Sequence, residues 1–152
     1  MKGEKPMNRV LYIPKEIIDA AVASTPIQGK HLVASFTQFA EKHGLPEGVM
    51  RILEDHEVDN HVFEVHTHEA DLWLCLEGRV TFICGGELVN PQVKRSDDVI
   101  DEREQRSENV AGKTEERILT EGDWLWIPPG VPHRHRAGGT ARLVIVKIPV
   151  SN

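Results

Sequence analysis

The sequence predicts an all-β barrel or sandwich with two helices on its N-terminal side. Three observations lead there. From Val49 onward, six short segments rich in β-branched and aromatic residues follow one another without helical periodicity between them: "VMRILED", "HVFEVHTH", "DLWLCLEG", "RVTFICGG", "RILTEGDWLWIPPG" and "RLVIVKIPV". Before Val49 the apolar residues recur at helical spacing instead. The 152 residues suit one compact unit, and 39% of them are hydrophobic, enough for a substantial core. We read residues 1–48 as a helical extension packed on the barrel, and 49–152 as the barrel itself.

The first helix begins at Pro14, where a helix tolerates proline, and Ile17, Ile18, Ala21 and Val22 form its apolar stripe. The second is read over "KHLVASFTQFAEKHG", with Leu32, Val33, Phe36, Phe39 and Ala40 on one face and Gly44 as its C-cap. His31 and His43 are then surface residues of that helix. If Glu77 and Gly78 form a two-residue turn, the flanking strands pair as a hairpin that sets Cys75 opposite Val80 and Cys84 opposite Asp71. A bridge between the two cysteines would be out of register. Residues 86–118 interleave acidic and basic side chains with few apolar ones, which reads as a charged insertion forming a mobile loop beside the barrel mouth.

Composition excludes several classes. A net charge of -6 and the lack of a basic, aromatic-rich cluster argue against a nucleic-acid partner. The N-terminal stretch starts positive, as a signal peptide does, but Pro14, Lys15, Glu16 and Asp19 interrupt any apolar run, and no later stretch is apolar enough to span a bilayer. The expectation is a cytoplasmic protein without a membrane partner. Two cysteines do not make a disulfide framework.

The chemistry concentrates in "HTHEADLWLCLEG", residues 66–78. Strand alternation sends Glu64, His66 and His68 to one face, and Asp71, Trp73 and Cys75 to one face of the next strand. Converging imidazole lone pairs with a carboxylate to offset charge are what a metal ion requires. A His-x-His on a strand is by itself ordinary solvent-facing polarity, because short matches arise often by chance. A second segment, "GDWLWIPPGVPH" at residues 122–133, changes the balance: Pro128, Pro129 and Gly130 force a turn that presents His133 from a rigid corner.

Together the two segments resemble the two signature motifs of the cupin superfamily. The first motif has His-x-His, a carboxylate, then six residues and a glycine, matched by His66, His68, Asp71 and Gly78. The second has Gly, five residues, Pro-x-Gly, two residues and His, matched by Gly122, Pro128, Gly130 and His133. The resemblance covers about residues 49–149. The chain departs from it in having aspartate where glutamate is usual, with only two residues between it and the second histidine. Glu69 is the alternative carboxylate, although alternation points it away from His68.

The resemblance implies a double-stranded β-helix, a jelly-roll-like barrel, holding one divalent transition metal (Fe, Mn, Ni, Cu or Zn) through His66, His68, His133 and Asp71. The superfamily spans enzymes, storage proteins and sugar-binding modules, so fold alone does not choose a reaction. The leading expectation is an enzyme acting on a small polar or aromatic acid, with oxygenase chemistry ahead of isomerase or lyase. The alternative is a non-catalytic module binding a sugar or another small molecule. Glu64, as a base or outer-shell group, and His135, as a substrate contact or outer-shell donor, are the catalytic candidates. Trp73 is placed to wall the pocket, and Cys84 to bring a thiol near it. Trp124 and Trp126 share a face that would pack on the helices or on a partner subunit, and a homodimer is expected because cupin domains pair through sheet edges.

Overall fold

In the computed structural model, residues 10–96 and 99–150 are described. They form two helices, α1 (Lys15–Ala23) and α2 (Ala34–His43). Ten strands accompany them: β1 (Gly29–Leu32), β2 (Met50–Asp59), β3 (Phe63–His66), β4 (Glu69–Glu77), β5 (Arg79–Leu88), β6 (Gln92–Ser96), β7 (Val99–Ser107), β8 (Val110–Thr120), β9 (Trp124–Ile127) and β10 (His133–Pro149). The positively charged start of the chain, at residues 1–9, lies outside the described residues, as do residues 97–98 of the charged segment. No helix among the described residues is long and apolar enough to cross a membrane.

β10 is the spine. Along one edge it pairs antiparallel with β2, from Arg136↔Asp59 to Val146↔Met50. Along the other it pairs first with β5, from His133↔Cys84 to Arg136↔Thr81, and then with β4, from Leu143↔Cys75 to Pro149↔Glu69. A strand of 17 residues that changes partner midway must bend, and the sheet curls into a barrel around it. Alternation then sorts side chains. Trp73, Val80, Phe82, Leu143 and Ile145 fill the interior, while Ile52 and Val144 face outward and are covered by Ala21 and Phe36 of the helices. The all-β barrel with two N-terminal helices is therefore the architecture that the sequence implies.

Three local expectations are corrected. The second helix starts at Ala34, because residues 29–32 extend along the edge of β2 as β1, with His31 opposite Glu54. His31 is thus a strand residue, its Nε2 2.7 Å from Glu54 Oε2. The β4–β5 hairpin does not form. Gly78 takes a left-handed φ of 81° where its chain passes so close to β10 that a Cβ would stand 2.0 Å from the Thr140 carbonyl oxygen, and the two strands run on to different stretches of β10. Cys84 accordingly lies opposite His133 and Glu115 rather than Asp71, and both cysteines are free and buried.

The third correction concerns residues 86–118, whose described residues lie mostly in strands β5 to β8 and not in a loop. β8 follows β5 from Arg79↔Thr120 to Leu88↔Val110, and β7 pairs with β3 from Phe63↔Ser107 to His66↔Glu104. The segment is poor in apolar residues because much of its side-chain surface is solvated, and it is held by backbone pairing and by ion pairs such as Lys94–Glu104 at 2.9 Å and Arg106–Glu64 at 3.1 Å. Excising it would remove the strand that flanks β3, so it is no dispensable flap.

Candidate metal centre

Three cross-strand pairs build the site. His133 stands opposite Glu64 on the β10–β3 contact, Asp71 opposite Lys147 on β4–β10, and His66 opposite Glu104 on β3–β7. Each pair is set by backbone register, so four strands, β3, β4, β7 and β10, converge on one inward face. The Pro128-Pro129-Gly130 turn is tied to the same place: the Gly130 N–H donates to the His66 carbonyl oxygen at 2.8 Å. The two sequence motifs meet through that bond.

Glu64, His66 and His133 each offer a donor atom, and these atoms lie within 4.8 Å of one another. Asp71 Oδ2 adds a fourth, 3.2 Å from His133 Nε2 and 3.8 Å from His66 Nε2. His133 Nδ1 donates to the Val131 carbonyl oxygen at 3.1 Å, which leaves its Nε2 turned toward Asp71. Asp71 Oδ2 is buried and accepts no hydrogen bond. A buried carboxylate oxygen converging with two imidazole nitrogens and a second carboxylate is a donor set that fits a divalent transition metal.

One cation is already at hand. Lys147 Nζ lies 2.6 Å from Asp71 Oδ1 and 3.4 Å from His66 Nε2, buried beside both. Burial pushes the Asp71 carboxyl up, but the His133 imidazole and the Lys147 ammonium outweigh it and hold the group well below the usual carboxylate range. Glu64 behaves alike: burial raises it, and Lys30, Arg106 and the two imidazoles bring it below its ordinary value. Glu104 Oε1 is 3.3 Å from His66 Nδ1, and that imidazole together with Lys94 holds the Glu104 carboxyl far down.

The comparisons add the following. No protein-family model matches the chain, and no curated protein matches it. Solved structures do. A structure of oxalate oxidase is similar at 16% identity and a TM-score of 0.47, covering 83% of this chain and 53% of that one. The Drosophila melanogaster CENP-C cupin domain is similar at 11% identity and a TM-score of 0.45, covering 68% and 62%. Hydroxypropylphosphonic acid epoxidase from S. wedmorenis is similar at 18% identity and a TM-score of 0.43, covering 65% and 42%. In each of these the match spans less than two thirds of the solved chain's length. Similarity at this level reaches neither substrate nor metal.

The residues named from sequence divide clearly. His66, Asp71 and His133 meet, and Glu64 joins them as a donor. His68 does not join the group: β3 ends at His66, residues 67 and 68 form a bend, and the His68 Nε2 turns to Glu69 Oε1 at 3.3 Å. The bend also breaks the alternation that would have pointed Glu69 away. Glu69 falls in a second group with His66 and Glu104, and its Oε1 lies 4.0 Å from Lys147 Nζ. His135 sits deeper, its Nδ1 2.5 Å from Asp55 Oδ2 and its ring edge-on to Trp73. Burial pushes its pKa down against the pull of Asp55. Glu104 and Lys147 were missed by sequence reasoning. Lys147 carries the one available signal, a cation with apolar neighbours on both sides in "LVIVKIPV", whose burial demands a countercharge.

Proposed function

We propose that the chain binds one divalent transition metal between Glu64, His66 and His133, with Asp71 Oδ2 as a further donor, and that it is an enzyme acting on a small acid. The observation that carries this reading is the convergence of donor atoms of Glu64, His66 and His133 within 4.8 Å of one another, with the buried Asp71 Oδ2 3.2 Å from His133 Nε2. Two histidines and two carboxylates, all nitrogen and oxygen donors with no thiolate, suit a catalytic transition-metal site better than a closed structural zinc site. When bound, the ion would act as a Lewis acid on a substrate oxygen or on dioxygen.

The chain's own residues supply the rest. Lys147 neutralises Asp71, the Val131 carbonyl accepts from His133 Nδ1, and the Glu104 carboxylate stands 3.3 Å from His66 Nδ1. Trp73 and His135 line the cavity, and the Phe82 ring packs against both. A cytoplasmic setting belongs to this reading, supported by two free, buried cysteines.

A second reading rests on Lys147. Its ammonium compensates Asp71 Oδ1 and touches His66 Nε2 without any ion, which a non-catalytic small-molecule binder would exploit. Dialysis of chelator-stripped protein against Fe, Mn, Ni, Cu and Zn separates the two. The enzyme reading predicts one ion per chain and consumption of an added acid; no ion taken up, with the acid recovered unchanged, favours the binder.

A further inference from the structure

The cavity that opens onto the donors has a volume of about 170 Å³, room for on the order of six waters and well short of a drug-sized ligand. Its lining is unusual for a chain of net charge -6. Five cationic side chains from five strands, Lys30, Arg51, Lys94, Arg106 and Lys147, face three carboxylates, Glu64, Asp71 and Glu104.

Three of the cations are spoken for. Lys94 pairs with Glu104 at 2.9 Å, Arg106 with Glu64 at 3.1 Å and Lys147 with Asp71 at 2.6 Å. Lys30 and Arg51 have no ion-pair partner among the described residues, and the Arg51 Nε is buried without a hydrogen-bond acceptor. A buried guanidinium N–H left unpaired is costly, and a fixed fork of donors matches a carboxylate or phosphate oxygen pair. Register holds Arg51 in place, since it stands opposite Ile145 on β10, two residues before Lys147.

We propose that Arg51 and Lys30 form the anion seat of this cavity, so that its ligand is a small molecule bearing a carboxylate or phosphoryl group. This rests on the pocket being the ligand site, as in the function proposed above, and names the ligand's class. The anionic group sits on Arg51 and Lys30, and the remainder of the molecule reaches toward His66, His133 and Glu64. A neutral sugar would leave both cations unmatched.

The test is calorimetric titration of the whole protein with propionate, inorganic phosphate and neutral propionamide at fixed ionic strength. Metal content is measured on the same samples. The expected result is binding of at least one anion and none of propionamide, with Arg51→Met weakening the anion at least tenfold while metal content stays that of the parent. Tighter propionate would mark a carboxylate ligand, and tighter phosphate a phosphoryl one. Should Arg51→Met fail to fold, Lys30→Met carries the same expectation. Absence of anion binding to the parent, or undiminished binding by the folded variants, overturns the proposal. A parent that binds anion through Arg51 but holds no metal would leave the anion seat standing and remove the metal reading.

Discussion

Lys147 stands directly across the β4–β10 ladder from Asp71, its Nζ 2.6 Å from Oδ1, while the other oxygen of the same carboxylate faces His133 with no hydrogen bond. One carboxylate thus divides its charge between an ammonium and a converging set of imidazoles. That division leaves one carboxylate oxygen balanced by a buried ammonium and the other facing the imidazoles.

Lys147→Met removes one side of this buried pair. One-sided loss of a buried ion pair costs about 3–5 kcal/mol, because the remaining charge is left uncompensated. Chelator-treated variant should therefore unfold at markedly lower denaturant than the parent, and an added divalent metal should restore more stability in the variant than in the parent. Equal responses to metal would place the ammonium outside the ion's neighbourhood.

Arg142 holds the helical extension to the barrel. It pairs with Glu54 at 2.8 Å and Glu77 at 2.8 Å, and donates to the carbonyl oxygens of Val22 and Ser24 at the end of α1. Arg142→Ala should destabilise the fold by about 3–5 kcal/mol and leave metal content unchanged. A shift within about 0.5 kcal/mol in chemical denaturation would show that the network contributes as little as a surface pair.

Burial pushes the Cys84 thiol up from 9.0 to about 11, with Glu115 adding to the shift. The unfolded chain therefore releases this proton first as pH rises. The stability linked to the thiol is fully present below pH 9.0 and is lost as the pH climbs through about 11. Denaturation midpoints should fall between pH 8 and 10.5 in the parent, and fall less in Cys84→Ala. Identical slopes would show that the thiol is not protected.

β9 has β4 as its neighbour and presents Trp124 and Trp126 with 60% and 51% of their surfaces exposed, so they do not pack on the helices. A strand edge carrying two exposed tryptophans suits a second copy of the chain, and a homodimer is the expected state. Sedimentation at micromolar concentration should show a dimer that Trp124→Ser with Trp126→Ser converts to monomer. A monomeric parent would remove this expectation.

Much of this was legible in the sequence, and the limits have physical causes. His66 and His133 could be placed because a proline-proline-glycine corner and a strand end are local features. His68 could not, since alternation holds only while the strand continues, and β3 ends at His66. Glu104 lay in a segment whose composition reads as loop; its strand exists through pairing with β3, nearly forty residues away in sequence, which no local pattern records. The same holds for the absent β4–β5 hairpin. Glu77-Gly78 reads as a tight turn, but the long β10 strand offers both flanking segments better edges than they offer each other.

The most direct test of the central claim is elemental analysis of the parent beside His133→Ala, Glu64→Gln and His68→Ala, each loaded with the same metal and freed of excess. Metal held by Glu64, His66 and His133 predicts about one ion per chain in the parent and in His68→Ala, with a sharp loss in His133→Ala and Glu64→Gln. Metal lost with His68 but kept without Glu64, or a parent that takes up none, would contradict the account.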